Sequence, residues 1–108
     1  MFLTSLHSAQ DWVEVLQTTE GSQSAVTDLS PGEASIDASD DYPGSEQVLL
    51  VLDGEVTVQI GEEKTRMQRG DVVVVPDGIR RRLRNDSQSP ARTLSIYTLR
   101  PNFFSSSW

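Results

Sequence analysis

The side chains with chemistry to offer are few and unevenly placed. His7 is the single histidine and cysteine is absent, so thiolate metal sites, disulfides and cysteine nucleophiles lack their parts, and no Ser-His-Asp triad is indicated. A lone histidine in a polar N-terminal segment is read as a surface residue. Asp37, Asp40 and Asp41 cluster, but without the every-second-residue spacing and following glutamate of an EF-hand loop. A solvated acidic loop is expected there, and a hard ion such as Mg or Ca held by these oxygens is the atypical metal alternative. Four arginines, Arg80, Arg81, Arg82 and Arg84, crowd one short stretch, and their planar donor forks suit carboxylates and phosphates. Tyr42 and Tyr97 are candidate acids, and Asp40 and Glu46 candidate bases. Trp12 and Trp108 are read as packing or rim residues.

These groups must be held by strands. From Trp12 onward the chain breaks into short β-rich runs separated by Gly, Pro, Asp, Asn and Ser, which reads as an all-β sandwich or barrel. The only helix candidate is a turn around Ser8 to Trp12. Asp53-Gly54 carries the signature of a type I′ hairpin and predicts that Gln47 to Leu52 pairs with Glu55 to Ile60. Turns at Gly61-Glu62-Glu63 and at Arg69-Gly70-Asp71 then lead through Lys64 to Gln68 into Val72 to Val75, a meander. Four consecutive valines predict burial on both faces, inside a sandwich or beneath a partner subunit, which makes a homodimer an expectation. Pro76-Asp77-Gly78 forms a further turn. In the strand that follows, an inward Arg81 requires an inward Leu83 and sends Arg80, Arg82 and Arg84 outward. Phe103, Phe104 and Trp108 predict a docked C-terminal flap.

A chain of 108 residues fits one domain, with its core at about 12–100. The net charge of −7 and pI near 4.5 oppose a phosphate backbone, so nucleic acid is not an expected partner. Every Lys and Arg lies at or after Lys64, and thirteen of the sixteen acids lie at or before Glu63, so acidic and basic strands are expected to pair within the barrel. The longest apolar run, Val48 to Leu52, is far below the roughly 20 residues of a membrane span. With no basic, apolar leader, a soluble cytoplasmic protein is expected and no membrane partner.

Gly70, Pro76, Gly78 and Asn85 fall at every spacing of the second cupin motif, Gly, five residues, Pro, any, Gly, two residues, His, three residues, Asn; only the histidine differs, being Arg81. Pro31-Gly32-Glu33 looks like the opening of the first motif, and Glu46 to Gly54 like its closing strand and turn. Over roughly residues 30 to 100 the chain thus resembles the small single-domain cupins. The resemblance implies a double-stranded β-helix, or jelly roll. Most cupins hold a divalent metal through three histidine nitrogens and one carboxylate. Here the corresponding positions are Ala38 or Asp40, Asp40 or Tyr42, Gln47 with Glu46 beside it, and Arg81. A guanidinium has no lone pair to donate, so no metal and no other cofactor is expected. Arg81 should instead pair with Asp40, Asp41 or Glu46 as a structural ion pair, or should bind a small anion with Gln47 and Tyr42. The candidate ligand-binding set is therefore Asp40, Tyr42, Glu46, Gln47 and Arg81. The expected role is a small-molecule-binding or structural module. The alternatives are a metal-independent isomerase or lyase on a small polar or sugar-like substrate, and a regulatory partner of another protein.

Overall fold

The computed structural model describes residues 21–35 and 46–98 and the backbone of 13–18. The eight strands are β1 (Val13–Thr18), β2 (Ser22–Leu29), β3 (Gln47–Asp53), β4 (Glu55–Ile60), β5 (Glu63–Gln68), β6 (Val72–Val75), β7 (Arg81–Arg84) and β8 (Ala91–Thr98), with no helix among the described residues. They form a five-stranded sheet in the order β1-β2-β8-β3-β6 and a three-stranded sheet in the order β5-β4-β7, and every pairing is antiparallel. Alternation sets which side chains meet between the sheets. Gln47, Leu49 and Val51 of β3 are buried while Val48 and Leu50 are half-exposed, and in β4 Val56 and Val58 are buried. Leu29, Leu49, Val51 and Ala91 from the larger sheet meet Val56, Val58, Met67 and Leu83 from the smaller one. Each large aliphatic side chain buried this way contributes about 1.5–3 kcal/mol.

Two local expectations fail, each for a reason outside its own segment. Strands β3 and β4 do not pair but belong to different sheets. The β3–β8 register shifts between Val51 and Asp53, and this irregularity bends the strand out of its sheet. Gly54 then takes φ 77° while Asp53 keeps a negative φ, which rules out the type I′ turn. A Cβ on Gly54 would lie 2.5 Å from the Pro90 carbonyl oxygen, so the glycine allows two chain segments to meet at a corner.

The meander fails at the next corner. β5 pairs with β4, but β6 crosses to the larger sheet and pairs with β3. Val51 holds that crossing, accepting from Gly70 N–H at 2.8 Å and donating to the Asp71 carbonyl at 3.1 Å.

Within the single chain the valine run is buried on one face only: Val75 is buried and Val73 packs against the core, whereas Val72 and Val74 are 58% and 50% exposed on the outer face of the larger sheet. Of the two expected settings, burial inside the sandwich therefore does not hold and a covering partner subunit is the one left.

Attraction between acidic and basic segments does operate across strands. Arg92 of β8 grips Asp28 of β2 through two bonds of 2.6 and 2.9 Å, and Arg66 of β5 donates to Glu55 of β4 at 2.9 Å. The hydrogen bond to Asp28 raises the pKa of Arg92 further. The turn at Ser8 to Trp12, His7, and the tail with Phe103, Phe104 and Trp108 lie outside the described residues.

Candidate ligand site at the Arg81 end of the barrel

Strand β7 pairs with β4 through Val58↔Leu83 and Ile60↔Arg81. Leu83 is buried in the core, so Arg81, two residues earlier, lies on the same inner face. It is half-buried, while Arg80, Arg82 and Arg84 are exposed. The chain enters β7 from the Pro76-Asp77-Gly78 turn, which brings the Ile79 carbonyl beneath the guanidinium. Arg81 Nε and Nη2 donate to that oxygen at 3.3 and 3.0 Å, and Nη1 donates to Gln47 Oε1 at 3.3 Å. Gln47 is buried and donates through Nε2 to Ser95 Oγ at 2.8 Å. A polar string therefore runs from β7 through β3 to β8, across the space between the sheets. Three of the five guanidinium N–H groups are engaged, which leaves one on each Nη.

The larger sheet supplies the rest of the polar lining. In the β3–β8 register Gln47 stands opposite Tyr97, Leu49 opposite Ser95 and Val51 opposite Thr93, and opposed residues share a face. Tyr97, Ser95 and Thr93 therefore line the inner surface in that order, away from the Gln47 end. Thr93 is 1% exposed and its Oγ1 has no hydrogen-bond partner.

The structure brings Arg81 and Gln47 together. Among the described residues no carboxylate pairs with Arg81, so the expected ion pair with Glu46 is replaced by contacts to a neutral amide and a backbone carbonyl. Glu46 is exposed just before β3, where its N–H donates to Thr98 Oγ1 and its carbonyl accepts from Thr98 N–H. Asp40, Asp41 and Tyr42 lie outside the described residues, as do Asp37 and Ala38. Ser95 and Thr93 were not singled out from sequence; period-two alternation in Ala91–Thr98 is the signal that points to them.

The residues here do not fit a centre of histidines and a carboxylate. Arg81 offers only donors, and Gln47 Oε1, the one side-chain oxygen bonded to it among the described residues, already accepts from Nη1. Among the described residues no group of three or more His, Cys, Asp or Glu side chains converges on a common point.

The motif asparagine has a structural role. Asn85 is fully buried; its Nδ2 donates to the carbonyls of Leu29 and Ser89 at 2.9 and 2.8 Å, and its Oδ1 accepts from the N–H and Oγ of Ser87 at 2.9 and 2.6 Å. The side chain ties the end of β2 to the turn before β8. A cleft of about 340 Å³ lined by Asp28, Leu29, Ser30, Asp53, Pro90, Ala91 and Arg92 opens at the Asp53 end of β3, about 20 Å along that strand from Gln47. Its charges include the mutually paired Asp28 and Arg92, so it lies apart from the Arg81 chemistry.

Residues 25–97 match the cupin-domain family model Cupin_2. The chain belongs to the cupin-domain family. This cupin is 30% identical over 67 residues to the tetracenomycin polyketide synthase protein TcmJ of Streptomyces glaucescens, a match covering 62% of this chain and 44% of that protein. The chain thus spans less than half the length of that curated relative. A crystal structure of a protein from Thermus thermophilus superposes with TM-score 0.79 at 28% identity, over 94% of this cupin and 100% of that chain. An RmlC-like cupin with a double-stranded β-helix fold from Methanocaldococcus jannaschii superposes with TM-score 0.78 at 20% identity, over 97% and 94%. The two-sheet architecture is therefore the double-stranded β-helix.

Proposed function

We propose that this cupin is a binding module for a small anion, a carboxylate or phosphate, held by Arg81 inside one end of the barrel without a metal centre. The observation that supports this is the half-buried guanidinium of Arg81, neutralised by no carboxylate among the described residues and braced by Gln47 and the Ile79 carbonyl. A partly desolvated cation without a counter-charge is costly, and an anion on the two remaining N–H groups relieves that cost through charge-assisted bonds. Gln47, fixed by Ser95, positions the guanidinium. We also propose Asp40, Tyr42 and Glu46 as members of the binding set.

The test is thermal unfolding in the presence of malonate, phosphate or the uncharged malonamide, in the native protein and in Arg81→Met. Malonate or phosphate should raise the midpoint of the native protein, malonamide should not, and Arg81→Met should lose the response. An equal response in Arg81→Met, or none to either anion, contradicts the proposal.

The protein is further proposed to work as a homodimer joined through the outer face of the larger sheet. Val72, Val74 and Ile96 are exposed there, and register makes them continuous with half-exposed neighbours: Val74 stands opposite Val48, Val48 opposite Ile96, Val72 opposite Leu50, and Leu50 opposite Leu94. A contiguous apolar patch of this kind is characteristic of an interface. Sedimentation should give a dimer that Val74→Lys converts to monomer; a native monomer contradicts this.

Nucleic acid and membrane are not proposed partners, given the net charge of −7, and no helix among the described residues is long and apolar enough to cross a membrane. A cytoplasmic location belongs to the same proposal. The second reading, a metal-independent isomerase or lyase, is favoured by Tyr97, whose phenol lies on the inner face opposite Gln47. Turnover of small hydroxy acids or sugar phosphates that Tyr97→Phe abolishes, with anion binding retained, would favour catalysis over binding alone.

A further inference from the structure

The smaller sheet turns a basic face outward on a chain of net charge −7. Val56 and Val58 of β4 are buried, so Thr57 and Gln59 lie on the opposite face. Register places Arg66 and Arg84 on either side of Thr57, and Lys64 and Arg82 on either side of Gln59. All four cations are exposed. They frame a platform about 7 Å along the strands and about 10 Å across them.

Two of the four are matched locally. Arg66 donates to Glu55 at 2.9 Å, and Arg84 to Asp86 at 2.6 Å. Lys64 and Arg82 have no ion pair among the described residues, although the charge of Lys64 acts on Asp86, so the four cations outnumber the carboxylates of Glu55 and Asp86 by two. Along the outer edge of β7 the backbone is already occupied: Ser35 N–H donates to the Leu83 carbonyl at 2.7 Å, and Asn85 N–H to the Glu33 carbonyl at 2.9 Å. A partner meeting the sheet here meets its face and cannot add a strand at that edge.

We infer that this face docks an acidic, extended polypeptide segment of a partner protein. An extended chain projects every second side chain to one side at about 7 Å intervals, the separation of Lys64 from Arg66 and of Arg82 from Arg84. Carboxylates at that spacing meet the cations of either strand, and the arginine forks take them in planar, paired hydrogen bonds. A nucleic acid fits less well. Its dense phosphate charge adds repulsion from the rest of this acidic chain over a Debye length of about 8 Å, set against a surplus of only two cations. The inference is independent of any anion at Arg81, which faces the interior.

Fluorescence anisotropy of a labelled peptide of alternating Glu and Thr tests it, with a Gln-Thr peptide and an oligothymidylate as comparisons. Two variants carry the same change in net charge: the double variant Lys64→Gln, Arg82→Gln on the face, and Arg69→Glu in the exposed turn after β5. The native protein should bind the Glu-Thr peptide in preference to both comparisons. The double variant should lose at least about tenfold in affinity and Arg69→Glu less than about twofold, with binding weakened by salt. No binding of the Glu-Thr peptide at low salt, equal losses in the two variants, equal binding of the Gln-Thr peptide, or tighter binding of the oligothymidylate would each overturn the inference.

Discussion

Arg81 and Gln47 stand on different sheets and meet between them, Nη1 to Oε1 at 3.3 Å. The contact is a polar link between the sheets beside a core of leucine, valine and methionine. It also decides what the cation can do. A guanidinium locked to a carboxylate would have its charge cancelled, whereas Arg81 is braced by an amide and a backbone carbonyl and, among the described residues, meets no carboxylate and keeps two N–H groups to offer. The proposed anion site follows from that difference.

The corner at Gly54 should tolerate no side chain. Gly54→Ala would force a Cβ to 2.5 Å from the Pro90 carbonyl oxygen at a backbone φ of 77°, combining steric overlap with left-handed strain. The expected loss is at least about 3 kcal/mol of stability, read from urea unfolding. A loss below about 1 kcal/mol would show that the corner is softer than its geometry implies.

Asn85 joins the end of β2 to the turn before β8 through four hydrogen bonds while fully buried. Asn85→Ala strips partners from the carbonyls of Leu29 and Ser89 and from Ser87, and should destabilise by about 2–4 kcal/mol in the same assay. Retained stability would mean that the turn before β8 is held by its backbone alone.

Asp86 provides a pH test. Hydrogen bonding from Arg84 comes first in holding its carboxyl below the ordinary 3.8, and a hydrogen bond with Thr57 and the charge of Lys64 add to the effect. A depressed folded-state pKa means that the contribution to stability is present above the unfolded carboxylate's pKa and is lost as pH falls through the folded-state midpoint. Carboxyl NMR titration should place the Asp86 midpoint below 3.8 and Arg84→Gln should move it upward. An unchanged midpoint in that variant would remove Arg84 as the cause.

Much of this architecture is legible in the residues, and the failures have a common origin. Turn residues, strand alternation and the Gly70-Pro76-Gly78-Asn85 spacing depend on local stereochemistry and so mark the strands, their inner and outer faces and the cupin fold. Asp53-Gly54 also marks a turn correctly. Whether that turn closes a hairpin or changes sheets depends on its contact with Pro90, far along the chain. The four valines carry no sign that β6 is an edge strand with one face outward. At the site, the parity of Arg81 with Leu83 is readable, whereas the Gln47–Ser95 bond spans 48 residues and needs the β3–β8 register to be seen.

The most direct test is to follow each arginine side chain by nitrogen-15 NMR while malonate is added, with the Nε–H signals assigned by single substitutions. The account predicts that the Arg81 signal shifts and saturates while those of Arg82 and Arg84 move little. An Arg81 signal that stays in place while Arg82 and Arg84 shift would put the anion on the outer face and contradict a binding site inside the barrel.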